Sequence, residues 1–232
     1  MIADCTAIIL AGGDSQRMGS DKAQLLLGGQ TLLQRVIATM RQVFPKVIVS
    51  VRQPRLEVEI PQVCDDPSYA GPLAGLVAGL GHITTPWAFA VACDMPFVVP
   101  ELIELLGRYR TKPPSVPPTH PSPPLSGMEQ GGREFSSPDK GRLGGVCCQA
   151  VVPVVRGYPQ PLAAFYARSG LDVMRSHLES GGKNSLRAVL EKLDVCYVNE
   201  AEMLVADPGL RSCFDLDTPQ DVARAKSEEE AK

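Results

Sequence analysis

The chain has 232 residues, 44% of them hydrophobic, with a formal net charge of −3. That length suits one α/β domain, and the apolar share is ample for a core. The acid excess excludes broad nucleic-acid binding, which needs a basic face. The seven cysteines are odd in number and contain no C-x-x-C. They read as buried thiols in a reducing cytosol, and a zinc site or disulfide framework is not expected.

In chain order, "TAIILA" (6–11) is a continuous apolar run rich in β-branched residues and closed by glycines. This is the pattern of a central strand covered on both faces. The opening "MIADCTAIILAGG" lacks a basic leader and runs straight into that strand, so no signal peptide is expected. No stretch approaches the roughly 18 apolar residues of a membrane span, so no membrane partner and a cytoplasmic location are expected. "AQLLLGGQ" (23–30) predicts a short extended piece closing on a Gly-Gly turn. Leu32, Leu33, Val36, Ile37, Met40 and Val43 recur at helical spacing, giving a helix over 31–44. "KVIVSV" (46–51) is the next strand. The 63–80 stretch reads as a strand end, a turn and a helix with Pro72 near its start. In that helix Gly75 and Gly79 lie four apart, on one close-packing face. A third buried strand, 87–96, carries Asp94 at its end, and Pro100 opens a helix over 101–110. The order β-α-β-α-β-α predicts a parallel sheet with right-handed crossovers.

From 111 to 145 the pattern breaks into Pro, Gly and Ser with almost no apolar periodicity. Such a stretch cannot offset its ordering entropy, so 112–146 is expected to be a disordered insertion within a single domain spanning 1–232. Then come a strand (148–155), one or two helices in "PLAAFYARSGLDVMRSHLESGG", a helix (185–193), a strand (195–199) and a last short strand (213–217). A final helix over 218–226 has Thr218 as its cap, Pro219 at its first position and Asp221 completing a capping box.

Two phosphate motifs are excluded for the loop "LAGGDSQRMGSDK" (10–22). Gly13 and Gly19 are one residue too far apart for a Walker A loop, and Gly12-Gly13-Asp14 does not fit G-x-G-x-x-G. The arrangement L-A-G-G-x-S-x-R-M-G-x-D-K, together with "GPLAG" (71–75), "CDMP" (93–96), "GYPQPLAAFY" (157–166) and "FDLDTPQD" (214–221), resembles the molybdenum cofactor guanylyltransferases of the MobA type. These are nucleotidyltransferases. The resemblance covers the chain outside about 112–146. It implies a Rossmann-like, GT-A-type α/β domain of three layers around a mostly parallel sheet. It also implies a reaction: Mg-GTP and molybdopterin, with or without bound molybdenum, give the guanine dinucleotide cofactor and pyrophosphate. "LAGG" points to guanylyl transfer, since cytidylyl-transferring relatives more often carry "LAAG". The partners implied are GTP and molybdopterin, with molybdoenzyme maturation proteins downstream. The alternatives are CTP transfer to molybdopterin, nucleotide transfer to another phosphorylated acceptor, and an inactive nucleotide-binding regulator.

The residues divide the work accordingly. Leu10, Ala11, Gly12 and Gly13 line the nucleotide, the glycines letting backbone N–H groups approach phosphate. Arg17 and Lys22 supply the cations that let two anions meet. Asp94, beyond the carboxyl end of a strand, suits Mg²⁺ on the α-phosphate. Asp215 and Asp217 alternate, and Asp217 is the candidate second metal contact. Ser50 aligns with a position where relatives use Asn to contact guanine. Asp66 matches a position beside the nucleotide, and its neighbour Asp65 reads as structural. Pro72, Leu73 and Gln160 are the candidates for the pterin side. His82, His120 and His177 show no metal spacing. No covalent enzyme intermediate is expected, because the attacking phosphate is already ionised.

Overall fold

The computed structural model describes residues 1–12, 21–111, 148–181 and 185–230. The first strand, β1 (Cys5–Leu10), is buried along its whole length. Its side chains alternate between two cores. Cys5, Ala7 and Ile9 face one, with Ala11 continuing the series, and Ile8 and Leu10 face the other. A strand covered on both sides has no polar face, which is why its sequence reads as one apolar run.

A 3-10 turn (Lys22–Gln24) follows, then the hairpin β2 (Leu26–Leu27) and β3 (Gln30–Thr31). The turn between them has Gly28 and Gly29 at φ 58° and 79°, the pair of positive angles a two-residue hairpin needs. Helix α1 (Leu32–Val43) starts at Thr31, whose hydroxyl accepts from Gln34 N while Gln34 Oε1 accepts from Thr31 N. The chain continues through β4 (Lys46–Val51), β5 (Gln62–Cys64), α2 (Pro72–His82), β6 (Trp87–Ala92) and α3 (Pro100–Arg108). Beyond residue 147 come β7 (Ala150–Val155), β8 (Tyr158–Pro159), β9 (Ala164–Ala167), α4 (Leu171–Glu179), α5 (Leu186–Leu190), β10 (Val195–Val198), α6 (Glu200–Met203) and α7 (Pro219–Glu230).

The main sheet runs β10-β7-β9-β6-β1-β4-β5, with β8 paired to β7. β1 is parallel to β4 and β6, β4 to β5, and β7 to β10. β9 runs antiparallel to both β6 and β7. Side chains of α1, α3 and α6 pack on one face and those of α2, α4 and α5 on the other, so the mostly parallel sheet is the middle of three layers. Among the described residues no helix is long and apolar enough to cross a membrane.

Two expectations are corrected. The first part of "PLAAFYARSG" is strand β9 and not helix. All of Ala163–Ala167 is buried, and a short apolar run covered on both faces has no periodicity to separate strand from helix. The stretch 213–217 is not a strand. It leaves a 3-10 turn (Arg211–Cys213) and runs outside any ladder, tied to the sheet end by Leu216 N donating to Asp94 O at 2.9 Å. Leu216 still points inward, into a small core with Leu27, Leu32, Val222 and Ala225. The Thr218–Asp221 capping box is present, with Thr218 N donating to Asp221 Oδ2 and Asp221 N to Thr218 Oγ1. Of the cysteines, Cys5, Cys93, Cys148 and Cys196 are buried, while Cys64 is exposed.

The expected insertion, with His120, lies outside the described residues. Its two flanks meet: Cys148 Sγ is 4.0 Å from Tyr109 O. Replacing residues 113–144 by a short Gly-Ser linker is therefore expected to preserve both fold and activity. Each halving of loop length changes closure by only about 0.6 kcal/mol. Melting temperature and turnover beside the parent chain test this, and a large loss of either refutes it.

Candidate active site

The carboxyl ends of β1, β4, β5 and β6 open on one edge of the sheet, where an open α/β fold places its ligands. β1 is held there from both sides. Ala11 N donates to Ser50 O at 2.8 Å, and Cys93 N donates to Leu10 O at 3.0 Å. Gly12 follows at the rim. Gly13 and Arg17 lie outside the described residues.

The chain is next described at Asp21. Its Oδ1 accepts from Ala23 N at 3.1 Å, capping the 3-10 turn that carries Lys22. Arg55 locks this cap in place. Its Nη1 donates to Asp21 Oδ2 at 2.5 Å and its Nη2 to Ala11 O at 3.3 Å, so one guanidinium ties both sides of the loop together. Burial works to raise the Asp21 carboxyl, but the Arg55 guanidinium outweighs it and the net direction is down. The sequence reading missed Arg55, which is 34 residues from its partner in a polar stretch without a motif.

Lys22 is the centre of the site. Its Nζ lies 2.9 Å from Asp94 Oδ2 and 2.6 Å from Asp217 Oδ1. Burial alone would lower its pKa, but the two carboxylates more than compensate and the ammonium is held above the ordinary lysine value. Asp215, two residues before Asp217, is pushed up by burial and then by the charge of Asp217. Two carboxylates thus converge within hydrogen-bond distance of one nitrogen, and no cluster of three metal-ligating side chains stands among the described residues. Two carboxylates completed by water and substrate phosphates are a donor set that suits Mg²⁺. Burial pushes the adjacent Cys93 thiol up to about 12, so it is not a nucleophile.

A cavity of about 170 Å³ adjoins this centre, lined by Leu10, Ala11, Gly12, Lys22, Ser50, Asp65, Pro72, Gly75 and Asp94. The two neighbouring carboxylates are placed the other way round from the expectation. Asp65 lines the cavity, and Ser50 Oγ donates to its Oδ1 at 2.6 Å. Asp66 is exposed and turned to its own loop, accepting from Ser68 N at 2.8 Å. Burial pushes the Asp65 carboxyl up, against the pull of the Ser50 hydrogen bond. Gly75 fits because α2 lies so close to the sheet: a Cβ there would stand 2.8 Å from Ser50 Oγ. One turn on, a Cβ on Gly79 would stand 2.8 Å from Ile8 Cδ1.

The three pterin-side candidates do not sit together: Pro72 lines this small cavity. Leu73 is fully buried in the core beneath α2, so it touches no ligand. Gln160 lines a second, larger cavity of about 880 Å³, with Phe97, Tyr158, Arg156, Arg187, Arg211 and Arg224 in its wall and Glu200 and Glu228 among them. Arg211 stacks on Phe97 at 4.1 Å and pairs with Glu228 at 2.9 Å. Phe97 lies three residues beyond Asp94, and Phe214, also in the wall, three before Asp217. The small cavity thus contains Lys22 and Asp94, and the larger one is lined by chain neighbours of Asp94 and Asp217.

The model of a family described as the MobA-like NTP transferase domain matches residues 7–197. The molybdenum cofactor guanylyltransferase of Desulfosudis oleivorans is 28% identical over 225 residues, covering 96% of this chain and 94% of its own. Among solved structures, the molybdopterin-guanine dinucleotide biosynthesis protein A of Archaeoglobus fulgidus superposes with a TM-score of 0.74 at 24% identity, covering 98% of this chain and all of that one. The 2-C-methyl-D-erythritol 4-phosphate cytidylyltransferase of Thermus thermophilus shares the fold at a TM-score of 0.61 and 16% identity, covering 97% and 98%.

Proposed function

The chain belongs to the family of MobA-like NTP transferase domains and is a nucleotidyltransferase, and on that footing we propose that it transfers GMP from Mg-GTP to molybdopterin. The products are the guanine dinucleotide form of the cofactor and pyrophosphate. The observation that carries this reading is the convergence of Lys22, Asp94 and Asp217 beside the small cavity. A two-substrate transferase must bring its substrates to the reacting centre from different sides. The small cavity, with the glycine rim and Lys22, suits the nucleotide. The large one, with aromatic and guanidinium walls, suits a planar, anionic acceptor such as a pterin phosphate. The whole of 1–232 acts as one domain, with 112–146 inserted in it. The proposed setting is the cytoplasm, where molybdoenzyme maturation proteins would take up the product.

An oxygen of the acceptor phosphate forms a bond to the α-phosphorus. The bond from that phosphorus to the α–β bridging oxygen breaks, and pyrophosphate leaves with the electron pair. The attacking oxygen is already ionised, so no side chain has to remove a proton. Gly12 lets backbone come close to phosphate, and Lys22 neutralises charge where the two anions meet. Arg17 is assigned the same task. Asp94 and Asp217 would hold Mg²⁺, which supplies Lewis-acid neutralisation of the phosphates. Arg55 acts through others, by fixing Asp21 and hence the turn that presents Lys22.

Incubation with Mg-GTP and molybdopterin, followed by identification of the dinucleotide and of pyrophosphate, tests the reading. A parallel panel with CTP, ATP and UTP tests the base. Formation of the dinucleotide from CTP and not from GTP refutes guanylyl transfer. Arg55→Ala is expected to raise the nucleotide KM about tenfold, because the loop loses its tie. Its stability cost is expected to be only about 1 kcal/mol, the ion pair being partly exposed. An unchanged KM with a lower melting temperature would make Arg55 purely structural.

A further inference from the structure

Helix α7 closes on "SEEE", with no basic residue in its last turn. Negative side chains at that end oppose the helix macrodipole. Few apolar contacts offset this, Val222 and Ala225 being its buried side chains among the described residues. The end is held instead by two guanidiniums from other parts of the chain. Glu229 Oε1 lies 2.5 Å from Arg35 Nη2, with 25% and 24% of the two side chains exposed. Glu228 Oε2 lies 2.9 Å from Arg211 Nη2.

The Arg35 pair joins three elements. Arg35 stands on α1, its Nη1 donates to Leu27 O of β2 at 3.0 Å, and its Nη2 holds the last turn of α7. The hairpin leaves room for the same carboxylate: a Cβ on Gly28 would stand 2.6 Å from Glu229 Oε2. Each of the two elements drawn together carries a residue of the site at its other end. Leu25 alone separates β2 from the turn of Lys22. Asp217 stands two residues before the start of α7, in a stretch outside any ladder. On its near side Leu216 N donates to Asp94 O, and on its far side the chain is anchored through α7.

Resting on the nucleotidyl transfer and the metal assignment proposed above, we infer that Arg35 and Glu229 are positioning residues: their ion pair closes α7 on the β2–β3 hairpin and so keeps Asp217 beside Lys22. Ten residues of helix at 1.5 Å each put Glu229 about 15 Å from the start of α7. That exceeds the screening length of about 8 Å at physiological salt, so the pair acts through the helix and not through its own field. A helix that opens part of the time presents Asp217 in a fraction of the molecules, and apparent metal affinity falls by that fraction. Neither Arg35 nor Glu229 lines the small cavity, so nucleotide binding without metal is spared.

Mn²⁺ binding in the presence of GTP and without acceptor, read by electron paramagnetic resonance, tests this in Arg35→Gln, Glu229→Gln, the double variant and Glu229→Lys. Each single Gln variant is expected to weaken Mn²⁺ by about two- to fivefold, the scale of a partly exposed ion pair. The double variant should lose no more than the worse single one, because the two residues act as one pair. Glu229→Lys sets two cations face to face and should weaken Mn²⁺ by about tenfold. Metal-free GTP binding, by calorimetry, should stay at the parent value, and amide exchange over 218–222 should quicken as Mn²⁺ affinity falls. Unchanged Mn²⁺ affinity in Glu229→Lys overturns the inference. Additive losses in the double variant overturn it too, as the mark of a field acting at a distance. So does a loss of metal-free GTP binding equal to the loss of Mn²⁺, the mark of a general structural role. Asp217→Asn separates this inference from the reading beneath it. If Asp217→Asn weakens Mn²⁺ and Glu229→Lys does not, the ion pair alone is misread. If Asp217→Asn leaves Mn²⁺ affinity unchanged, the metal assignment is wrong and the inference falls with it.

Discussion

Asp94→Ala is expected to abolish transfer, with turnover falling by about a thousandfold or more, a loss at or beyond the upper end of what removing one preorganised electrostatic contact costs. The carboxylate stands just beyond the end of β6, and its Oδ2 is 2.9 Å from Lys22 Nζ. Its removal takes away one of the two carboxylates assigned to the metal and leaves Asp217 as the other. Nucleotide binding without metal should survive in part, because the glycine rim and Lys22 remain. Asp94→Asn keeps the shape and removes the charge, and should be nearly as inactive. Turnover with Mg-GTP, measured beside metal-free nucleotide binding, separates the two effects. Near wild-type turnover in either variant would remove Asp94 from the metal site.

Lys22→Ala carries the second large effect. The ammonium now bonds to two carboxylates, and the proposed reaction has it meet phosphate as well. Losing a charge-assisted contact of this kind costs about 1.5–3 kcal/mol, or roughly ten- to a hundred-fold. The loss should appear in both KM and kcat, since the charge is needed for binding and again where the two anions meet. Lys22→Arg is expected to rescue poorly. A planar fork cannot sit between Asp94 and Asp217 as a compact ammonium does. If KM and kcat are unchanged in Lys22→Ala, the lysine only holds the two aspartates together.

The half of the fold up to residue 110 was readable because each element has one signal that dominates. β1 is buried on every residue and almost wholly apolar, α1 has a clean stripe and a capping box, and α2 and α3 open on prolines. The later half was harder for definable reasons. Ala164–Ala167 is too short and too uniformly apolar to reveal its period, and an antiparallel strand at that place breaks the alternation set up before it. Within the site, Lys22, Asp94 and Asp217 were legible because the motif spacing carries them. Asp65 and Asp66 were not separable, because which of two adjacent carboxylates enters a cavity depends on how the strand end turns. Leu73 was misjudged because a motif gives residue types, while the rotation of a helix decides which of them faces the core. Arg55 left no local trace, since its role exists only once β1 and the chain after β4 are side by side.

The place of β9 has a consequence for how the chain reaches this state. β9 lies between β6 and β7 yet is made after both, so the sheet cannot close until residues 164–167 have emerged from the ribosome. Before then, β5-β4-β1-β6 can assemble from the first hundred residues, but β6 is left with an unpaired edge beside Trp87, Phe89 and Val91. Such an edge is a template for pairing with another chain, and late, non-local strand insertion is intrinsically slow. Chains stalled or truncated before residue 164 should therefore carry most of the proposed nucleotide-binding residues and still aggregate through β6, whereas chains released after residue 167 have that edge covered by their own strand.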